Sequence, residues 1–121
     1  MKPIDRDPIL YLEDILQSMK RVEEYVSGLD FKNFKQDYKT VDAVIRNFEV
    51  IGEASKNLTA DIKSKYPNVP WDQMYRLRNR ISHEYFGVDY DIIWDISKNH
   101  LPKNKIDIQT ALEAERTRRK H

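Results

Sequence analysis

Asp7-Pro8-Ile9-Leu10-Tyr11-Leu12-Glu13-Asp14-Ile15-Leu16-Gln17-Ser18-Met19 decides the fold class. Aspartate before proline is a helix start: the carboxylate caps an orphan N–H, and proline has no donor to waste at the first helical position. From there Ile9, Leu12, Leu16, Met19, Val22 and Val26 recur at steps of three and four, the period of an amphipathic helix, and Gly28 marks its end. An apolar stripe of this kind is stable only when covered, so the rest of the chain should supply partner helices.

It does. A second helix carries Val41, Val44, Ile45, Phe48 and Ile51, and its pattern extends to Ile62. Phe31 to Asp37 reads either as a short separate turn or as the first part of that helix. Gly52 inside it costs about 1 kcal/mol against alanine, which close approach of another helix would explain. Pro67-Asn68-Val69-Pro70 is a break, and Pro70 opens a third helix with Trp71, Met74, Leu77, Ile81 and Tyr85 along its apolar side. After a bend at Gly87 and Asp89, Ile92, Ile93 and Ile96 begin a fourth helix, which Leu101-Pro102 should stop. A fifth, from about Asn104, holds Ile108 and Leu112. The expectation is an all-α, antiparallel bundle of about five helices: one domain over residues 1–113 and a charged tail over 114–121, read as a solvated end.

Composition narrows the class. A chain of 121 residues builds one core, not two. With 34% charged and 40% apolar residues it suits a globular helical protein. There is no cysteine, so disulfides and thiolate metal sites are excluded and a reducing cytoplasm is the expected compartment. No apolar run approaches the roughly 18 residues of a membrane span, and the start lacks a signal core. A formal net charge of +1 argues against a general nucleic-acid binder or a DNA-binding regulator. The basic residues are local: Arg76, Arg78 and Arg80, then Arg116, Arg118, Arg119 and Lys120.

Arg78-Asn79-Arg80-Ile81-Ser82-His83-Glu84-Tyr85 is the stretch that carries chemistry. Arginine offers a fixed, bidentate charge for phosphate oxygens, and histidine exchanges protons near neutral pH. Together they meet the needs of phosphodiester cleavage without a metal. At about 100° per residue, Arg78 and His83 differ by roughly 140° around one helix. A single helix therefore makes a loose site, whereas two copies about a two-fold axis would gather two arginines and two histidines in one cleft. Taken singly, each residue also has an ordinary role: a surface ion pair for Arg78, a hydrogen-bonded structural histidine for His83, a buried amide for Asn79, an interfacial aromatic for Tyr85. Glu84 reads as a solvated helix carboxylate.

This stretch and its surroundings resemble the HepT-like toxins of the HEPN superfamily. The superfamily is marked by arginine, four to six residues, then histidine; this branch is marked by arginine, four residues, histidine, any residue, tyrosine. Arg78, His83 and Tyr85 fit that spacing. Ile51-Gly52-Glu53-Ala54, Val69-Pro70-Trp71, Trp94 and Leu101-Pro102 extend the likeness over roughly residues 7 to 113, with no departure at the motif positions. The resemblance implies a homodimeric, metal-independent endoribonuclease, the toxin of a type VII HEPN/MNT toxin–antitoxin system. Arg78 and His83 would be catalytic, with Asn79 supporting them. It further implies a partner, an MntA-type minimal nucleotidyltransferase antitoxin, which silences the toxin by AMPylation of Tyr85. The competing reading is a non-catalytic, nucleotide-binding helical module that scaffolds a nucleotidyltransferase.

Outside the motif the candidates are weaker. His100 should sit at a helix end, favoured there by the dipole. His121 is terminal and alone, and Glu49 with Glu53 would form a surface carboxylate pair, Glu53 within reach of an arginine of the motif helix. No carboxylates and histidines stand at ligand spacing, so neither metal nor other cofactor is expected.

Overall fold

Asp7 caps as its place before proline predicts: its Oδ1 accepts the Ile9 N–H at 2.9 Å, and α1 runs Pro8–Val26. The computed structural model describes residues 6–82 and 89–120, with the side chains of 78–82 given only as positions along their helix. Among the described residues there are helices and no strand. α1 ends at Ser27, and Gly28 turns the chain with a φ of 78°, a left-handed conformation that glycine adopts without strain.

The same capping logic settles the region that periodicity left open. Asp30 accepts from Asn33 and starts a separate short helix, α2 (Phe31–Gln36), and Asp37 accepts from Thr40 and starts α3 (Tyr38–Asn57). The α3 pattern does not extend to Ile62. Leu58 leaves helical geometry, and Thr59 caps α4 (Ala60–Lys65), which carries Ile62 into the core. α5 (Trp71–Ser82) follows Pro70, as the sequence indicates.

The last third departs from expectation. Leu101-Pro102 does not stop a helix. α6 (Tyr90–Asp95), capped by Asp89, passes through a π turn (Ile96–His100) straight into α7 (Leu101–Arg119). The Leu101 N–H reaches back to the Ile96 carbonyl, five residues earlier. Proline clashes with the carbonyl four residues before it, here that of Lys98, and the wider π turn accommodates the ring without ending the helix. Among the described residues there are six helices when this run is counted as one, four of them long.

α3 packs against α1 and α5, and α7 packs against α1. Those contacts close three seams of a four-helix ring, and the fourth, between α5 and the α6–α7 run, is left as a groove. α7 lies antiparallel to α1: Lys98 Nζ donates to the Val26 carbonyl, Lys105 pairs with Glu23, Arg116 with Glu13, and Arg119 with Asp7. The interior is built from Leu12, Ile15, Met19, Phe34, Phe48 and Ile108, all at 0% exposure. Buried Asn47, Ser55 and Ser97 are satisfied without partners elsewhere, each donating to the carbonyl four residues back.

Candidate functional site

α5 carries the motif arginine, and its start is firmly held. Trp71, Met74 and Leu77 are buried, and the Trp71 indole N–H donates to the carbonyls of Lys63 and Tyr66 at 3.1 and 3.0 Å. One side chain thereby satisfies the end of α4 and fixes where α5 begins. Arg78 follows Met74 by four residues and Trp71 by seven, so it shares their side of the helix by register. Asn79 falls about 100° further round. His83, Glu84 and Tyr85 lie outside the described residues, as does any contact between Arg78 and His83.

Beside α5 runs the open seam, a groove of about 460 Å³. Met74 and Leu77 form one wall, and Ile92, Ile96 and Leu101 form the other. Its rim is polar: Gln73 and Arg76 on α5, Asp95, His100 and Asn104 across from them. Arg76 lies 3.8 Å from Asp72, a loose exposed pair that leaves its guanidinium mostly in solvent.

The far rim is ordered by the π turn, and here sequence reasoning misplaced a residue. His100 is not at a helix end; it stands inside a continuous helix, with Nε2 3.1 Å from Asp95 Oδ2. Asn99 Nδ2 donates to the other carboxylate oxygen of Asp95 at 2.7 Å. Five-residue spacing separates side chains on an α-helix but stacks them on a π turn, which is why the pairing was hidden. The Asn99 hydrogen bond and, after it, that of His100 hold the Asp95 carboxyl below its ordinary value, so it stays ionised. The signal that would have found the cluster is the aspartate five residues before a histidine, just upstream of a proline.

Glu49 and Glu53 do face one hollow, of about 400 Å³, between α3 and the start of α1. Its rim is occupied by opposite charges: Arg6 lies 2.6 Å from Asp14, and Arg46 lies 3.9 Å from Glu49. Among the described residues no three histidines or carboxylates gather as a metal site. No helix of the described chain is long and apolar enough to cross a membrane. The tail is exposed but helical rather than frayed: α7 continues to Arg119, with Arg116 on Glu13 and Arg119 on Asp7.

Comparison with known proteins bears on this arrangement. The family described as ribonuclease HepT-like matches residues 15–111, a span that contains all of α5 and the groove walls. A protein of Methanocaldococcus jannaschii named "Putative RNase MJ0127" is 45% identical over 108 residues, covering 89% of each chain. "Probable ribonuclease HepT" of Thermococcus cleftensis is 44% identical over 95 residues, covering 78% of this chain and 86% of its own. No solved structure matches the chain significantly.

Proposed function

This chain belongs to the ribonuclease HepT-like family, and from that membership we propose that it is a metal-independent endoribonuclease whose active site forms between two copies. The observation that carries the reading is the Arg78–His83–Tyr85 spacing inside the segment matched by the family, with Arg78 on a helix anchored at its start.

RNA brings its own nucleophile. His83 takes the proton of the 2′-OH, whose oxygen attacks the adjacent phosphorus. The P–O5′ bond breaks, and the departing oxygen receives a proton from His83 of the partner subunit or from water. Arg78 holds two phosphate oxygens and stabilises the charge gathered in the pentacoordinate transition state. Asn79 orients His83 or binds a phosphate oxygen. The products are a 2′,3′-cyclic phosphate and a 5′-OH. The wheel geometry supports a composite site, because one helix cannot aim both groups at one phosphate.

Tyr85 is then the control point. A nucleotidyltransferase antitoxin of the MntA type transfers AMP from ATP to its phenolic oxygen and releases pyrophosphate. The added nucleotide brings bulk and negative charge to the place where RNA phosphate must dock. The deciding experiment uses the purified protein and an RNA oligonucleotide in EDTA. Cleavage to a cyclic phosphate, lost in His83→Ala and blocked by a 2′-deoxy residue at the cut site, is the expected result. Cleavage that needs added metal or survives the deoxy substitution overturns the mechanism. An intact RNA alongside a folded, harmless protein favours the nucleotide-binding module instead.

A further inference from the structure

We propose that the groove between α5 and the α6–α7 run is a base-binding subsite, which holds one nucleobase of the RNA beside the bond to be cut; it rests on the ribonuclease reading above. Its place is the first argument. Arg76 and Leu77 border it and immediately precede Arg78 in the chain. Met74 on its wall lies four residues before Arg78, about 6 Å along the helix and about 40° round it, within the span of one nucleotide. A phosphate held at Arg78 therefore delivers an adjoining base to the groove.

Chemistry and size select the occupant. Two apolar walls, Met74 and Leu77 opposite Ile92, Ile96 and Leu101, suit the faces of a flat ring. Gln73 and Asn104 at the rim are amides, each both donor and acceptor, which is what reading a base edge requires. A phosphate would find no donor on the two apolar walls, and on the rim Arg76 is balanced by ionised Asp95. The groove offers about 460 Å³, enough for a nucleoside. The far wall is also prearranged, since the Asp95, Asn99 and His100 contacts fix the π turn that carries it.

The test pairs Asn104→Ala, which removes an edge reader from a half-buried surface position, with Ile96→Trp, which fills the groove. Cut sites in a randomised RNA pool are sequenced, and methyl NMR spectra of Leu77 and Ile96 are followed on adding AMP, GMP, CMP and UMP. The wild type should prefer certain bases at one position flanking the cut. Asn104→Ala should flatten that preference about fivefold or more, because a lost edge hydrogen bond acts on discrimination. Ile96→Trp should raise KM by roughly tenfold and abolish the nucleotide-induced methyl shifts. Unchanged cut-site preferences in both variants overturn the subsite, and so does a dimer-to-monomer change in Ile96→Trp, which would make the groove a subunit interface. If the wild type cuts no RNA, the ribonuclease reading fails on its own. Mononucleotide shifts at the groove methyls would then still support a base pocket, and their absence would remove it.

Discussion

The two flanks of α7 are built differently. Along α1 it contributes Ile108, Ala111 and Leu112 to the interior, and Lys105, Arg116 and Arg119 bridge to acidic partners on or beside α1. Toward α5 the same helical run presents half-buried Ile92 and Ile96, a polar rim and a groove. One flank stabilises and the other is left accessible. Sites are drawn from weakly packed regions because a ligand must displace only water there. A bundle whose other three seams are closed can leave the fourth open and remain folded.

The sharpest way to break this contrast is to truncate one isoleucine on each flank. Ile108→Ala removes a side chain with 0% exposure, and such cavities cost about 2–5 kcal/mol. Ile92→Ala, half-buried on the groove wall, should cost closer to 1 kcal/mol. Urea midpoints at unchanged m-value measure both. Equal losses would mean that the groove is as tightly packed as the core and that no open flank exists.

A smaller effect tests how α5 is held while one of its faces stays uncovered. Trp71→Phe keeps the ring in the core but deletes the N–H that reaches the Lys63 and Tyr66 carbonyls. Each carbonyl keeps one backbone donor, from Tyr66 N–H and Val69 N–H, so losing the indole bonds should cost only about 0.5–1.5 kcal/mol. RNA cleavage should fall as well if the anchor positions Arg78. Loss of stability with undiminished cleavage would confine the anchor to α4 and separate it from the site.

The sequence revealed most where one residue acts through its immediate neighbours. Asp7-Pro8 announced the start of α1, and the three-and-four spacing of Leu12, Leu16, Met19 and Val22 gave its buried face. Asp30, Asp37 and Thr59 were equally good caps, yet apolar periodicity ran across them, so α2 and α4 were merged or left undecided. Pro102 misled for a different reason. Its penalty is local, but the relief comes from a π turn whose side chains pair at a spacing that α-helical reasoning discards. Arg78, His83 and Tyr85 stood out through the family resemblance, since their spacing alone left each of them an ordinary role. The groove was not legible, since its walls come from separate helices whose facing side chains the sequence does not bring together.

The smallest expected effect is a pH dependence at the contact between α4 and α7. Tyr66, at the end of α4, donates its phenolic hydrogen to Glu115 of α7. Burial first, and then the Glu115 carboxylate, push its pKa up to about 12 from the ordinary value of 10.0. The folded state therefore holds this proton more tightly than the unfolded chain does. That stabilisation is fully present below pH 10 and is lost as the pH rises toward about 12. Tyr66→Phe lacks both the bond and the titration, so it should be less stable at neutral pH, with the gap to the wild type closing across that window. Asn104→Ala, on the groove flank, should keep the wild-type steepness, because it removes neither the Tyr66 phenol nor its Glu115 partner. If Asn104→Ala flattens the profile as Tyr66→Phe does, the groove and the α4–α7 contact are coupled, and a base entering the groove would be felt there.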